Sequence, residues 1–133
     1  MTPFRLLALL ALALPWLACA DGSDRVTLNR EQPLATPSGV VDGPAARALA
    51  KAGAVVVDVR TPQEFAAGHV PGAKNIPYDE VRARAGEIGG PDTPVLLYCR
   101  TGRRSSIASQ ALKDQGFEKL WDLQVYERWS EGQ

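Results

Sequence analysis

The stretch Val95-Leu96-Leu97-Tyr98-Cys99-Arg100-Thr101-Gly102-Arg103-Arg104-Ser105-Ser106 decides how this chain is read. Its first four residues form an apolar run, as expected of a strand covered on both faces. The residues from Ser105 to Gln115 predict a helix. One cysteine therefore stands where a strand ends and a helix is about to begin, with three arginines and a glycine in and around the turn. The first N–H groups of a helix have no partners within it, and its dipole leaves that end partly positive, so the place suits an anion. A cysteine held there favours the thiolate, its nucleophilic form. The plainer alternative is a buried thiol at the end of a core strand beside a solvated turn. Three cations, a glycine and a helix start around one sulfur favour the reactive role.

Outward from this stretch, strands and helices alternate. Val40-Val41 reads as a brief strand. Asp42 is placed to cap a helix that opens at Pro44 and runs over Ala45 to Ala52, with Gly53 at its C-terminal cap. Ala54 to Val59 is the strongest strand, continuously apolar and β-branched up to Asp58. Thr61-Pro62 opens a short helix with Glu64 at the capping-box position, and Gly68 ends it. Asn75-Ile76-Pro77 is a short strand that its proline confines to an edge or end. Asp79 to Ile88 predicts a helix and Lys119 to Leu123 a last strand. Tyr126 to Ser130 predicts a final helical turn, with Trp121 and Trp129 as core aromatics. This alternation defines an α/β class with a central, mainly parallel sheet flanked by helices on both faces. In such sheets ligands bind beyond the carboxyl ends of the strands, where Cys99 and Arg60 both lie.

The chain has 133 residues, 45% of them hydrophobic, and a formal charge of zero. One small domain fits that length, and there is no basic excess to neutralise nucleic-acid phosphates. Arg5 followed by the Leu/Ala run Leu6 to Leu14 and by Ala18-Cys19-Ala20 reads as a secretory signal over residues 1–20. The run is too short to span a bilayer comfortably. Leu17-Ala18-Cys19 also partly resembles a bacterial lipoprotein box, in which Cys19 would carry a lipid anchor. Trp16, where such boxes usually have Leu, favours ordinary cleavage after Ala20. Either route leaves Cys99 as the one free thiol of an exported, periplasmic protein, and an unpaired thiol in an oxidising compartment is marked as reactive. Residues 21–39 read as a polar arm in which Val26-Thr27-Leu28 could form a short edge strand.

Two stretches coincide with a known pattern. Asp58-Val59-Arg60-Thr61-Pro62-Gln63-Glu64-Phe65, followed by Gly68-His69-Val70-Pro71-Gly72-Ala73, resembles the leading signature of rhodanese-like domains. Cys99-Arg100-Thr101-Gly102-Arg103-Arg104-Ser105 resembles their active-site loop. The resemblance covers residues 40–130 and extends to the small, single-domain, exported rhodaneses of bacteria. It implies a sulfurtransferase without a cofactor. Cys99 would take a sulfane sulfur from an anionic donor such as thiosulfate, hold it as a persulfide, and pass it to cyanide or a thiol. Arg100, Thr101, Gly102, Arg103, Arg104 and Ser105 would form the substrate cradle. Asp58, Arg60, Glu64 and His69 would be structural supports, and such domains occur as monomers and as homodimers. From the residues alone, Arg60 and Glu64 would be an ordinary surface pair at i, i+4.

Three rivals are weighed against this. Cysteine phosphatases and arsenate reductases need an arginine six positions after the nucleophile, and here that position is Ser105. The shorter loop suits a sulfur atom better than a tetrahedral oxyanion. A Cys99–His69 dyad is the second rival, but the resemblance places His69, the one histidine, in a structural turn, and no residue set suggests a metal. The third rival is a non-catalytic binding module, against which the intact cysteine and arginine-rich loop both argue. One departure is Leu123-Gln124-Val125, where many such domains carry Gly-Gly; it predicts a differently shaped rim.

Overall fold

A computed structural model describes residues 33–35 and 37–133. The signal segment, Cys19 and the strand expected at Val26-Thr27-Leu28 lie outside the described residues. Five strands, β1 (Gly39–Val40), β2 (Val55–Asp58), β3 (Lys74–Asn75), β4 (Val95–Cys99) and β5 (Leu120–Val125), form one sheet in the order β1-β5-β4-β2-β3. Every pairing is parallel. The four helices are α1 (Gly43–Lys51), α2 (Pro62–Ala67), α3 (Val81–Arg84) and α4 (Arg103–Lys113).

β4 is the sheet's central strand, and all five of its residues are buried. Its side chains alternate between two cores, as the period of two requires. Val95, Leu97 and Cys99 face α3 and α4, where they join Val81, Ala85, Ala108 and Leu112. Leu96 and Tyr98 face the opposite side with Ala46 and Leu49 of α1, Trp121 and Leu123. Burial on both faces explains why β2 and β4 read as continuous apolar runs.

The short helices start where their caps dictate. The Asp42 carboxylate accepts from the Ala45 N–H at 2.9 Å. Thr61 and Glu64 close a reciprocal box, with Glu64 N–H donating to Thr61 Oγ1 and Thr61 N–H donating to Glu64 Oε2. Proline sits in the first turn of both α1 and α2, where a missing N–H costs nothing.

β1 and β3 each start one residue earlier than the sequence reading placed them, with Val41, Ile76 and Pro77 beyond their ends, and three further elements differ more. The helix expected over Asp79 to Ile88 is a single α-turn at Val81–Arg84 that tightens into a 3₁₀ turn at Ala85–Glu87, and Gly86 within it weakens helical propensity. α4 starts at Arg103, two residues before Ser105, because Gly102 adopts φ +90° and its carbonyl accepts the Ser106 N–H at 3.1 Å. β5 runs on past Leu123 to Val125 through a register shift opposite Leu97 and Tyr98. Among the described residues no helix is long and apolar enough to cross a membrane.

Leu97 is fully buried at the centre of the sheet. Leu97→Ala is expected to cost about 3 kcal/mol, from lost transfer energy and the cavity left behind. Denaturant unfolding would register this as a lower midpoint at unchanged slope.

Candidate active site

β4 delivers Cys99 to the carboxyl end of the sheet, and four residues later α4 begins. The sulfur is fully buried and lies inside the curl of the loop. The Gly102 N–H donates to Cys99 Sγ at 3.0 Å. The curl depends on Gly102, because its left-handed φ is strained for any residue with a Cβ. The Ser105 hydroxyl lies 3.6 Å from Cys99 Sγ and 3.1 Å from the Gly102 carbonyl, within hydrogen-bonding reach of both. Burial alone would push the Cys99 thiol up. Hydrogen bonds from the Ser105 hydroxyl and from the N–H groups of Ser105, Thr101 and Gly102 outweigh it, so the net shift is downward. The loop thus favours a thiolate in a site that excludes water.

Beneath the loop lies a buried ionic network. Asp58 is fully buried and its carboxylate accepts hydrogen bonds from four donor groups. Oδ1 takes the Arg60 N–H and Nε, each at 2.9 Å; Oδ2 takes Arg60 Nη2 at 2.6 Å and the Tyr98 hydroxyl at 2.7 Å. Arg60 Nη2 also donates to the Gly68 carbonyl at 2.6 Å, and the Val70 N–H donates to the Tyr98 oxygen at 3.0 Å. The Arg60 guanidinium stands 4.5 Å from the Tyr126 ring centre. Burial pushes the Tyr98 phenol up, so it remains a donor to Asp58. The network ties β2, the Gly68–Val70 turn and the C-terminal segment to the residue immediately before Cys99.

Arg60 therefore pairs with Asp58 and not with Glu64 as the i, i+4 spacing allowed. Glu64 is held from the other side. Arg104 Nη1 and Nη2 donate to its two carboxylate oxygens at 2.7 and 2.9 Å. The Arg104 guanidinium, with help from the Thr61 N–H, pushes the Glu64 carboxyl down to about 2. Arg104 is thus a clip between α2 and α4, and Arg100 and Arg103 are the loop cations left exposed, without a hydrogen-bond or ion-pair partner among the described residues. Thr101 is exposed at the loop's tip. His69 stacks on Phe65 with ring centres 3.7 Å apart, and its Nδ1 meets the Phe65 carbonyl at 2.9 Å. It fixes the turn after α2 and makes no hydrogen bond to Cys99. Among the described residues no cluster of three His, Cys, Asp or Glu side chains could hold a metal ion.

Two residues beside the site were not assigned roles by the sequence reading. Asp122, which interrupts the apolar run of β5, is buried on the side facing α4. Burial raises its carboxyl above the usual range, against the lowering effect of the Ser105 hydroxyl and the Gln124 N–H. Gln124 occupies φ +67°, the one non-glycine residue with positive φ among the described residues. Its N–H donates to Asp122 Oδ1 at 2.7 Å.

Fold and loop together define a class: an α/β domain that presents one activated cysteine in an anion-receptive turn. Residues 44–131 match the family described as Rhodanese-like domain, and the chain belongs to that family. The thiosulfate sulfurtransferase GlpE of Pseudomonas putida is 39% identical over 82 residues, which are 59% of this chain and 72% of the relative. YqhL of Bacillus subtilis, an uncharacterized protein, is 40% identical over 77 residues, 57% of this chain. The chain spans 60% of YqhL and 35% of a second Bacillus subtilis relative, YrkF. Among solved structures, the human single-domain sulfurtransferase TSTD1 matches with a TM-score of 0.62 at 26% identity, covering 74% of this chain and 98% of that one. A rhodanese with anions from E. coli matches at 0.54 and 31% identity, over 57% of this chain and 91% of its own.

Two measurements test the site's electrostatics. Ser105→Ala is expected to raise the midpoint in the pH dependence of Cys99 alkylation by iodoacetamide, since it removes a hydrogen bond that favours the thiolate. Glu64→Gln keeps a capping amide but removes the charge facing Arg104. Its cost should be about 1 kcal/mol at neutral pH. A carboxyl lowered from 4.5 to about 2 stabilises the fold fully above pH 4.5. The difference between wild type and variant should therefore shrink as pH falls from 4.5 towards 2.

Proposed function

We propose that this protein is a sulfurtransferase that carries sulfane sulfur on Cys99, with thiosulfate or a similar anion as donor and cyanide or a thiol as acceptor. The observation that carries this reading is the burial of the Cys99 sulfur inside a loop whose N–H groups converge on it. The thiolate attacks the outer sulfur of thiosulfate, an S–S bond forms to Cys99, and the donor's own S–S bond breaks with its electron pair leaving on sulfite. The product is a persulfide whose outer sulfur needs stabilisation by nearby donors, and the loop amides are suited to provide it. Arg100 and Arg103 are placed to draw the anionic donor in and to favour the departing sulfite. An acceptor then attacks the outer sulfur and releases Cys99 as thiolate, which closes the cycle without a cofactor.

Two features support sulfur over a tetrahedral oxyanion. Ser105, which stands where a phosphatase would need arginine, is buried and bonded to the loop's own carbonyl. Arg104 is occupied by Glu64. The leader-like residues 1–20 support export to the periplasm, where Cys99 would have no intramolecular disulfide partner.

Incubation of purified protein with thiosulfate, followed by intact mass spectrometry, should show a gain of one sulfur that Cys99→Ser lacks. Absence of the gain in wild type, or its persistence in the variant, overturns the proposal. Protein recovered from its native host would also show in that spectrum whether it begins at Asp21 or at a lipid-bearing Cys19.

A further inference from the structure

We propose that Gln124 is the residue that sets acceptor size at the Cys99 site, favouring small acceptors over bulky thiols. This deepens the sulfurtransferase reading and rests on it. Gln124 is held in the left-handed region at φ +67°, where a residue with a long side chain is uncommon. Two contacts and a shift in strand register hold it there. Its N–H donates to the buried Asp122 carboxylate at 2.7 Å, its side-chain oxygen accepts from Arg128 Nη1 at 3.2 Å, and β5 shifts register beside it.

That conformation lays the side chain of Gln124 across Gly102. A Cβ built on Gly102 would meet Gln124 Cβ at 3.2 Å and its Cγ and Cδ at 3.6 Å. Gly102 is the residue whose N–H points at the sulfur. Gln124 is therefore one residue removed from the reacting atom, and it spans a position where the loop itself offers no side chain. With its oxygen tied to Arg128, its carbons form a fixed wall and its amide hydrogens remain at the partly exposed rim.

The step this wall bears on is the second half of the cycle. An acceptor thiolate must approach the outer sulfur of the Cys99 persulfide. A new S–S bond forms on the acceptor, the Cys99–sulfur bond breaks, and its electron pair returns to Cys99 as thiolate; the outer sulfur, which came from thiosulfate without a proton, takes one from solvent as it leaves in the product persulfide. Cyanide, attacking through one carbon, needs little room and leaves as thiocyanate. A thiol the size of glutathione needs the space over Gly102 that Gln124 fills.

The test is a graded series, Gln124→Asn and Gln124→Gly, both of which tolerate a left-handed φ and should fold. For each, kcat/KM is measured with cyanide and with glutathione as acceptors of thiosulfate sulfur, alongside sulfur loading by mass. The expected result is a glutathione-to-cyanide ratio that rises from Gln through Asn to Gly, by on the order of tenfold at Gly, chiefly through a lower KM for glutathione. A merely structural role would move the unfolding midpoint and leave that ratio where it was. An unchanged or falling ratio in proteins that load sulfur overturns this inference alone. A wild type that never gains sulfur overturns the sulfurtransferase reading, and this inference with it.

Discussion

The buried pair of Asp58 and Arg60 is the contact on which the site depends. One carboxylate gathers the backbone N–H and guanidinium of Arg60 and, from 40 positions further along the chain, the Tyr98 hydroxyl. None of these groups could be buried alone, since an unpaired charge in this position would cost several kcal/mol. Together they leave no buried side-chain polar atom without a partner among the described residues. The consequence is mechanical. Tyr98 is fixed at both its backbone and its hydroxyl, so the next residue, Cys99, leaves the sheet at a fixed place and angle. Reactivity at the sulfur is then supplied locally by Gly102 and Ser105.

The division of labour among the charged residues follows from burial. Arg60 lies under the loop and serves the fold. Arg104 lies at its side and joins α4 to α2 through Glu64. Arg100 and Arg103 stand in solvent, where their charge reaches an incoming anion without the cost of desolvation. Four arginines thus do three different jobs, and the sequence alone does not separate them.

Much of the fold was legible in the sequence because its signals are local. The apolar runs of β2 and β4 could only be strands buried on both sides, and the caps at Asp42 and Thr61 are read within four residues. The curl at Gly102 was visible for the same reason. What escaped the reading depends on residues far apart in the chain. Glu64 and Arg104 are 40 positions apart, so their clip left no pattern to read. Tyr98 looked like the fourth residue of an apolar run, and nothing local marks its hydroxyl as the partner of Asp58, also 40 positions away. Gln124 was noticed as a departure, but its backbone conformation depends on the Asp122 carboxylate and a strand register that only the folded sheet defines. The helix expected before β4 shortened because Gly86 carries little helical preference and the sheet decided how much of that segment could be covered.

The two outermost strands, β1 and β3, are only two residues long. A sheet whose borders are so brief exposes almost no row of unpaired backbone groups, so a neighbouring chain finds too little to zip onto. Extension of the sheet from copy to copy is thereby discouraged, although its central strands are among the most apolar segments of the chain. The sequences most prone to form fibrils are kept in the middle, and the chain's margins act as its safeguard against aggregation.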